Sequence, residues 1–515
     1  MMASSEYRLL EQNEKMDIAF LFQAGTVWPS WESVYKACLI EERINVRMIL
    51  VSKKTVEASH NVDAENFLVS QGISFEREED VDFDSYIPHI VIIQFPYDAA
   101  FHTPDMLSLN FKLRGSRVVY IPYGIEISDT QIARKDHFNS RVVENAWRIY
   151  TSSKGILDEY LKYCRNREAV RVTGSPKFDS ISNREEYSMN PEFIKKANGR
   201  KIIIWKMHFP KKNNVDGRIT MITPEVDEYL KFAKKMATYT DLFFVVMPHP
   251  KILGKMTASD SQGDDTMIAT MHEILNIVSC GENSIVDTAK DYRNSLYNAD
   301  AIIMDRSAVM IEAAMLDIPV IIMKNESYDE PMTLPVQEVI QKCFIGTKYE
   351  DMVGFVDCIR EKHTMDVYDR TKVVEQWFPY LDGKCGIRIV DDMINSVSSE
   401  SNREKRLQII LYGTGEVSSY YMKDEGWGKM ELFNVVAVSD TATNKWGQDF
   451  FGYQVIPPGD IRKLNYDYIV IMTEPHFYDI QTFLINDIYL SDRKIVRLDE
   501  FVAEILNTKN NRSVV

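Results

Sequence analysis

The stretch YNADAIIMDRSAVMIEAAMLDIPVIIMKNESY, residues 297–328, decides how this chain is read. It scans as strand, tight polar turn, helix, strand. Residues 301–304 form a short apolar run of the kind that a buried parallel strand needs. Asp305, Arg306, Ser307 and Ala308 follow where that strand ends. Residues 309–316 are strong helix formers and carry Glu312 early in the helix. The sequence Asp317-Ile318-Pro319 stops the helix, and residues 320–323 give the next strand. Backbone N–H groups at such a helix start are unpaired and suited to phosphate. Ligands of open α/β sheets bind beyond the carboxyl ends of strands. Ser307 as a plain N-cap is the competing reading.

A second strand end points the same way. Residues 242–247 are apolar and lead into Pro248-His249-Pro250. Residues 201–205 form another clear strand, ending in Lys206, Met207 and His208. Lysines and a histidine placed there can neutralise a diphosphate. Lys211 and Lys212 fit equally well as a solvated loop.

These residues resemble a family. Pro248-His249-Pro250 is similar to the His-Pro motif of the CDP-glycerol glycerophosphotransferases, the teichoic-acid polymerase-like enzymes. Asp305 to Val309, followed by Glu312, resembles that family's Asp-x-Ser-Ser-Val motif with its closing acidic residue. Gly174-Ser175-Pro176-Lys177-Phe178-Asp179 resembles its Gly-x-Pro-Arg-x-Asp segment. Asp382-Gly383-Lys384 with Arg388 resembles its last motif. The resemblance covers roughly residues 16–395. It implies a GT-B-like fold, with two Rossmann-like halves and the nucleotide donor held mainly by the second. It also implies transfer of a polyol phosphate, such as glycerol phosphate, from a CDP-linked donor to a hydroxyl of a surface glycan, without a metal or other cofactor. Lys206, His208, His249, Asp305, Arg306, Ser307, Ala308 and Glu312 are then expected to hold the donor, with Glu312 at the ribose and His249 also catalytic, protonating or hydrogen-bonding the phosphate.

The first half, residues 16–190, supplies the acceptor side. Its opening strand leads into a polar, aromatic loop with Trp28, Ser30 and Trp31, which either meet the acceptor or pack the loop. Residues 89–94 and 117–121 are strands that deliver Gln94 and Tyr97, then Tyr123, Gly124 and Glu126. The resembled family carries a His-Gly pair, its candidate base, at about the position of Tyr123-Gly124. That His is missing here, so either Tyr123, Glu126 or His102 takes over or the acceptor differs from the family's. A phenol with a pKa near 10 is a poor base unless a cation lowers it. Asp82-Phe83-Asp84 matches a metal pattern by letter but lies in an acidic run and reads as a solvated loop.

Composition limits the alternatives. A chain of 515 residues with 45% hydrophobic and 26% charged residues is globular and long enough for two or three domains. A net charge of −16 argues against nucleic acid as a partner. Six cysteines without a CxxC pair read as reduced thiols of a cytoplasmic protein rather than zinc ligands. Residues 1–15 are polar, lack the features of a signal peptide, and are expected to be disordered. No apolar run approaches the roughly 20 residues that span a bilayer. Membrane association is therefore expected to be peripheral or through a lipid-linked acceptor.

A donor half over residues 191–395 and a polar linker precede a tail, residues 406–515. There Tyr412-Gly413-Thr414-Gly415 leads from a strand into a helix bearing Ser418, and Asp440 follows the second strand. This is the pattern of a nucleotide-binding turn with a ribose-binding acid. The tail resembles the small Rossmann-like domains attached to surface-polysaccharide enzymes. It reads as an accessory nucleotide site, a dinucleotide site or a docking domain. Two further functions compete for the whole chain. One is a GT-B glycosyltransferase using a nucleotide sugar, and the other is a non-catalytic nucleotide-binding scaffold.

Overall fold

The computed structural model describes residues 7–11, 13–52, 58–98, 102–210, 212–215, 218–221, 223–253, 265–307, 309–328, 330–361, 368–402, 407–429 and 433–506. The chain divides into two compact units, residues 1–398 and 399–515. The first unit holds two parallel sheets.

The first sheet contains β1 (Met16–Phe22), β2 (Ile44–Leu50), β3 (Glu76–Arg77), β4 (Ile90–Ile93), β5 (Arg117–Tyr120), β6 (Arg148–Thr151) and β7 (Val170–Val172). Their order is β3-β2-β1-β4-β5-β6-β7, with every pairing parallel. Strand β4 is IVII and wholly buried, because helices cover both faces of a parallel sheet. The order reverses between β1 and β4, so this half has its crevice above Phe22 and Ile93.

The second sheet contains β8 (Lys201–Met207), β11 (Leu242–Pro248), β12 (Ser284–Val286), β13 (Ala301–Met304), β14 (Val320–Met323) and β15 (Phe344–Gly346). Between β8 and β11 lies a hairpin, β9 (Lys212–Val215) with β10 (Arg218–Met221), which apolar periodicity did not anticipate. The sheet order is β12-β11-β8-β13-β14-β15. Counted along the chain this is 3-2-1-4-5-6, the doubly wound arrangement of dinucleotide-binding folds. Its switch point lies between β8 and β13, where Met304 pairs with Lys206.

Two motifs of the resemblance are structural and meet in space. Gly174 has φ +87°, and a Cβ there would lie 2.5 Å from Cys385 Sγ. Asp179 accepts hydrogen bonds from the Cys385 and Gly386 N–H groups at 2.8 and 2.9 Å. It thereby caps the last helix of the unit, Cys385–Asn402, from the side chain of a distant element. Arg388 on that helix donates to Thr173 O at 2.7 Å and pairs with Asp382 at 2.9 Å.

Of the stretch 1–15, residues 1–6 and 12 lie outside the described residues, and residues 7–11 and 13–15 are packed rather than disordered. Tyr7 and Leu10 pack against the first sheet's core. Arg8 pairs with Glu14 and Asp17 and donates to Ile87 O. Its own carbonyl accepts from Arg117. Arg8 and Glu14, two of the charges that made this segment look solvated, are thus paired with one another.

The second unit carries β16 (Leu407–Tyr412), β17 (Phe433–Ser439), β18 (Asp449–Phe450), β19 (Tyr453–Ile456), β20 (Tyr468–Ile471) and β21 (Ile495–Arg497). The order is β18-β19-β17-β16-β20-β21, parallel except for the edge strand β18. Its switch point falls after β16, at Gly413. Among the described residues of either unit, no helix is long and apolar enough to cross a membrane.

Candidate functional site: the cleft at the second sheet's switch point

The loops after β8, β11 and β13 converge. His249 N–H donates to Met207 O at 2.7 Å, which fixes the end of β11 beside that of β8. The His208 and His249 rings lie 4.9 Å apart, and Phe209 stacks on His208 at 4.3 Å and edges onto His249 at 4.9 Å. Both histidines are half-buried. The pairing of these two histidines follows from adjacent parallel strands ending level, Pro248 opposite Met207.

Asp305 does not face a ligand. It is fully buried, accepts from the His208 N–H at 2.9 Å and from the Tyr229 O–H at 2.6 Å, and so holds the β8 loop in place. Burial pushes its carboxyl up to about 7, against the pull of Tyr229, the His208 N–H and Lys206. Lys206 is half-buried and has no ion-pair partner among the described residues. Burial draws its ammonium down from the ordinary lysine range, while Asp305 and Asp287 oppose this. A cation left in this condition is poised for an anionic ligand.

Ser307 Oγ accepts from the Val309 N–H at 3.4 Å, a serine turn ahead of the helix, whose N-cap is Val309 rather than the Ser307 of the competing reading. The helix it precedes is short, Met310–Met315. Ala308 lies outside the described residues. Glu312, expected at the donor ribose, is fully buried instead. Its Oε1 lies 2.6 Å from Lys177 Nζ and accepts from Tyr292 O–H at 2.8 Å. Ribose cannot reach a carboxylate enclosed in this way without displacing Lys177.

Arg306 bridges the two halves. It pairs with Glu330, and its Nη2 donates to Ser128 Oγ at 3.0 Å. Ser128 Oγ donates in turn to Glu330. Around this triad the backbone of 127–129 runs against 331–333: Asp129 N–H donates to Pro331 O and Thr333 N–H to Ile127 O. Arg306 therefore joins the half built on the first sheet to the half built on the second, at the mouth of the switch point.

On the acceptor side, several expected contacts turn out to be packing. Trp28 is 3% exposed and stacks among Phe22, Tyr35 and Phe67. Ser30 is buried and donates to Val27 O at 2.7 Å, and Trp31 is also buried. Gln94 is fully buried. Its Oε1 accepts from the N–H groups of Gln23 and Ala24, so it fills the first sheet's switch point with the chain's own backbone. The aromatic loop supplies its own core, and nothing in a single sequence separates that from a ligand platform.

The candidate bases fare differently. Tyr123 O–H and Tyr97 O–H share a hydrogen bond of 2.9 Å, with Gly124 half-buried beside them. Burial and Tyr97 hold the Tyr123 phenol well above its ordinary range despite Arg306, so Tyr123 is no base at neutral pH. Glu126 is 5% exposed and accepts from Tyr160 O–H at 2.7 Å, with Tyr160 fully buried. Burial pushes it up to about 7, but it sits in the core of the first half. His102 is buried and its Nδ1 lies 2.9 Å from Asp98, which also accepts from Ser108. His137, which the sequence analysis did not single out, packs its ring edge-on against Tyr97, with centroids 6.4 Å apart.

The other singled-out residues are locally satisfied. Glu14, Asp17 and His89 lie close enough to one another for a metal, yet Arg8 already supplies the cation these carboxylates face. The Asp17 N–H occupies His89 Nδ1. In the tail, Gly413 takes φ +104° and Ser418 Oγ donates to its carbonyl. Gly415 precedes the helix Glu416–Lys423. Asp440 is turned inward on the loop: it accepts from Thr414 N–H at 2.9 Å, from Thr414 O–H, from Ala442 N–H and from Lys445 Nζ at 2.8 Å. Burial would raise its carboxyl, but Lys445 and these hydrogen bonds hold it down at about 2.

Known proteins share this architecture. A UDP-GlcNAc 2-epimerase from Neisseria meningitidis, bound to UDP-GlcNAc, superposes with a TM-score of 0.51 at 13% identity, covering 74% of this chain and 100% of that one. The S. aureus MnaA–UDP co-structure gives 0.51 at 15% identity, covering 74% and 97%. The wall teichoic acid polymerase TagF, soaked with CDPG, gives 0.48 at 13% identity, covering 75% and 90%. The two epimerase-type likenesses, both above 0.5, show a fold of two Rossmann-like halves. No curated relative matches in sequence. Residues 405–496 match the C2185-like, N-terminal family. Residues 122–395, more than half of the chain, match the CDP-glycerol:poly(glycerophosphate) glycerophosphotransferase family. That span contains all four motifs quoted above, so the chain belongs to this family and is a glycerophosphotransferase-type enzyme.

Proposed function

We propose that the cleft transfers glycerol phosphate from a CDP-linked donor to a hydroxyl of a teichoic-acid-type glycan acceptor. The observation that carries this reading is the gathering of Lys206, His208 and His249 at one switch point, with Lys206 lacking an ion-pair partner among the described residues. A donor diphosphate lies against these groups. Lys206 and His249 contact the phosphoryl oxygens, and Ser307 donates its hydroxyl to the same group. Such preorganised donors stabilise the charge that develops on the leaving nucleotide. Asp305 and Phe209 act by positioning the two histidine loops. The acceptor hydroxyl enters from the side of Tyr97 and Tyr123. A lipid-linked acceptor brings the enzyme to the inner membrane face, which flotation with acceptor-bearing vesicles tests.

The direct test is incubation with CDP-glycerol and a glycerol-phosphate oligomer. The expected result is release of CMP with lengthening of the oligomer, and loss of tight donor binding in Lys206→Met. Preference for uridine ligands with release of a nucleoside diphosphate would replace this reading by the glycosyltransferase.

A further inference from the structure

We infer that His137 is the general base that takes the proton from the acceptor hydroxyl. This rests on the transfer reading above and names the residue that fills the place of the family's absent histidine.

Three loops of the acceptor half bring their tips together. Tyr97 follows β4, Tyr123 follows β5, and His137 ends the helix Gln131–Asp136. Tyr97 touches both of the others, by its O–H to Tyr123 and by its ring to His137. The charge of Arg306, reaching across from the donor half, acts on all three. Arg306 stands two residues beyond Met304, the strand partner of Lys206, so this cluster borders the donor-phosphate groups. The His137 imidazole is half-buried, and no side chain among the described residues hydrogen-bonds to its ring. By contrast, His102 is tied to Asp98, Glu126 to Tyr160, and the Tyr123 phenol to Tyr97.

Protonation favours the same residue. Burial and Arg306 lower the His137 pKa, with Asp136 on its own element opposing. The Tyr97 ring covers one edge without adding charge. The imidazole is therefore neutral at physiological pH and has a free lone pair. In the step itself, the acceptor oxygen forms a bond to the β-phosphorus of the CDP-linked donor. The bond from that phosphorus to the bridging oxygen breaks, and CMP leaves with the electron pair. The hydroxyl proton passes to a ring nitrogen of His137 and then to solvent. Arg306 sits beside the phosphoryl group, where its charge also discourages protonation of His137 before the acceptor arrives.

The test uses the full chain, CDP-glycerol and a glycerol-phosphate oligomer. Wild-type CMP release establishes the transfer reading, and its absence would overturn that reading and this role together. Given wild-type activity, His137→Ala and His137→Asn should lower kcat by about 10²- to 10⁴-fold, with CDP-glycerol binding unchanged. The acidic limb of the wild-type pH profile should disappear in both variants. Added imidazole should restore part of the His137→Ala rate, a recovery that a purely structural role would not give. Wild-type turnover in either variant, or loss of turnover with no imidazole rescue and an unchanged acidic limb, would overturn the assignment. Should His137→Ala fail to fold, the acidic limb of the wild type decides: a profile with no acidic limb below the ordinary histidine range overturns it.

Discussion

Lys177 Nζ stands 2.6 Å from Glu312 Oε1, with side chains 4% and 0% exposed. The two residues come from different halves and from different motifs. Glu312 Oε2 is buried with no hydrogen-bond partner among the described residues, so Lys177 and Tyr292 alone compensate this carboxylate. Lys177→Met leaves a buried charge unpaired and should cost about 3–5 kcal/mol. Pairing it with Glu312→Leu should recover most of that loss. Urea titration of the singles and the double closes the cycle. Additive losses would mean that the pair is not coupled.

Turnover separates contact from scaffold within the same cleft. His249→Ala and Ser307→Ala remove groups proposed above to contact the donor, and each should lower CMP release by about 10²-fold or more. Their thermal unfolding should stay near that of the wild type, since neither side chain is buried in the core. Asp305→Asn should behave differently. It disturbs the Tyr229 and His208 hydrogen bonds, so both melting temperature and turnover should fall.

The strands and the switch point were legible because buried parallel strands are continuous apolar runs. AIIM and VIIM around the Asp305 turn have no other comfortable place. His249 and Lys206 followed, since a polar residue just past such a strand has nowhere to go but the sheet's carboxyl edge. The roles of Trp28, Ser30, Gln94 and Glu312 were not legible. A polar or aromatic residue past a strand can face ligand or face its own chain, and the choice depends on partners far away. Lys177, more than a hundred positions from Glu312, decides one case, and Phe67 decides another. His137 was missed because helix-end polar residues are ordinary. The signal that could have found it was the missing base at Tyr123, which required some other imidazole nearby.

Buried acids give the fold a pH signature. Glu126 ionises near 4.5 in the unfolded chain and at about 7 in the fold. Between those values the folded state keeps a proton that the unfolded state has released. Raising the pH through that window therefore removes stability, on the order of 3 kcal/mol once pH exceeds 7. Asp305, pushed up to about 7 from 3.8, acts with the same sign. Glu126→Gln keeps an acceptor for Tyr160 and cannot ionise. Its stability should exceed that of the wild type at pH 8 and match it near pH 5, as read by urea midpoints. A constant difference across that range would show that Glu126 does not carry the pH dependence.

The tail makes the opposite prediction. Asp440 occupies the place of a ribose-binding acid, but Thr414, Ala442 and Lys445 already satisfy it. A ribose would have to displace charge-assisted bonds worth about 1.5–3 kcal/mol each. Asp440 is therefore a strut for the glycine loop. Asp440→Ala should unlatch that loop and raise hydrogen exchange around 412–418 and 440–446. Every residue placed against the donor or acceptor lies within residues 1–398. CMP release by Asp440→Ala should accordingly equal that of the wild type. If the substitution instead abolishes binding of a nucleotide to the isolated stretch 405–515, without loosening the loop, Asp440 is a ligand contact and the tail is a second site.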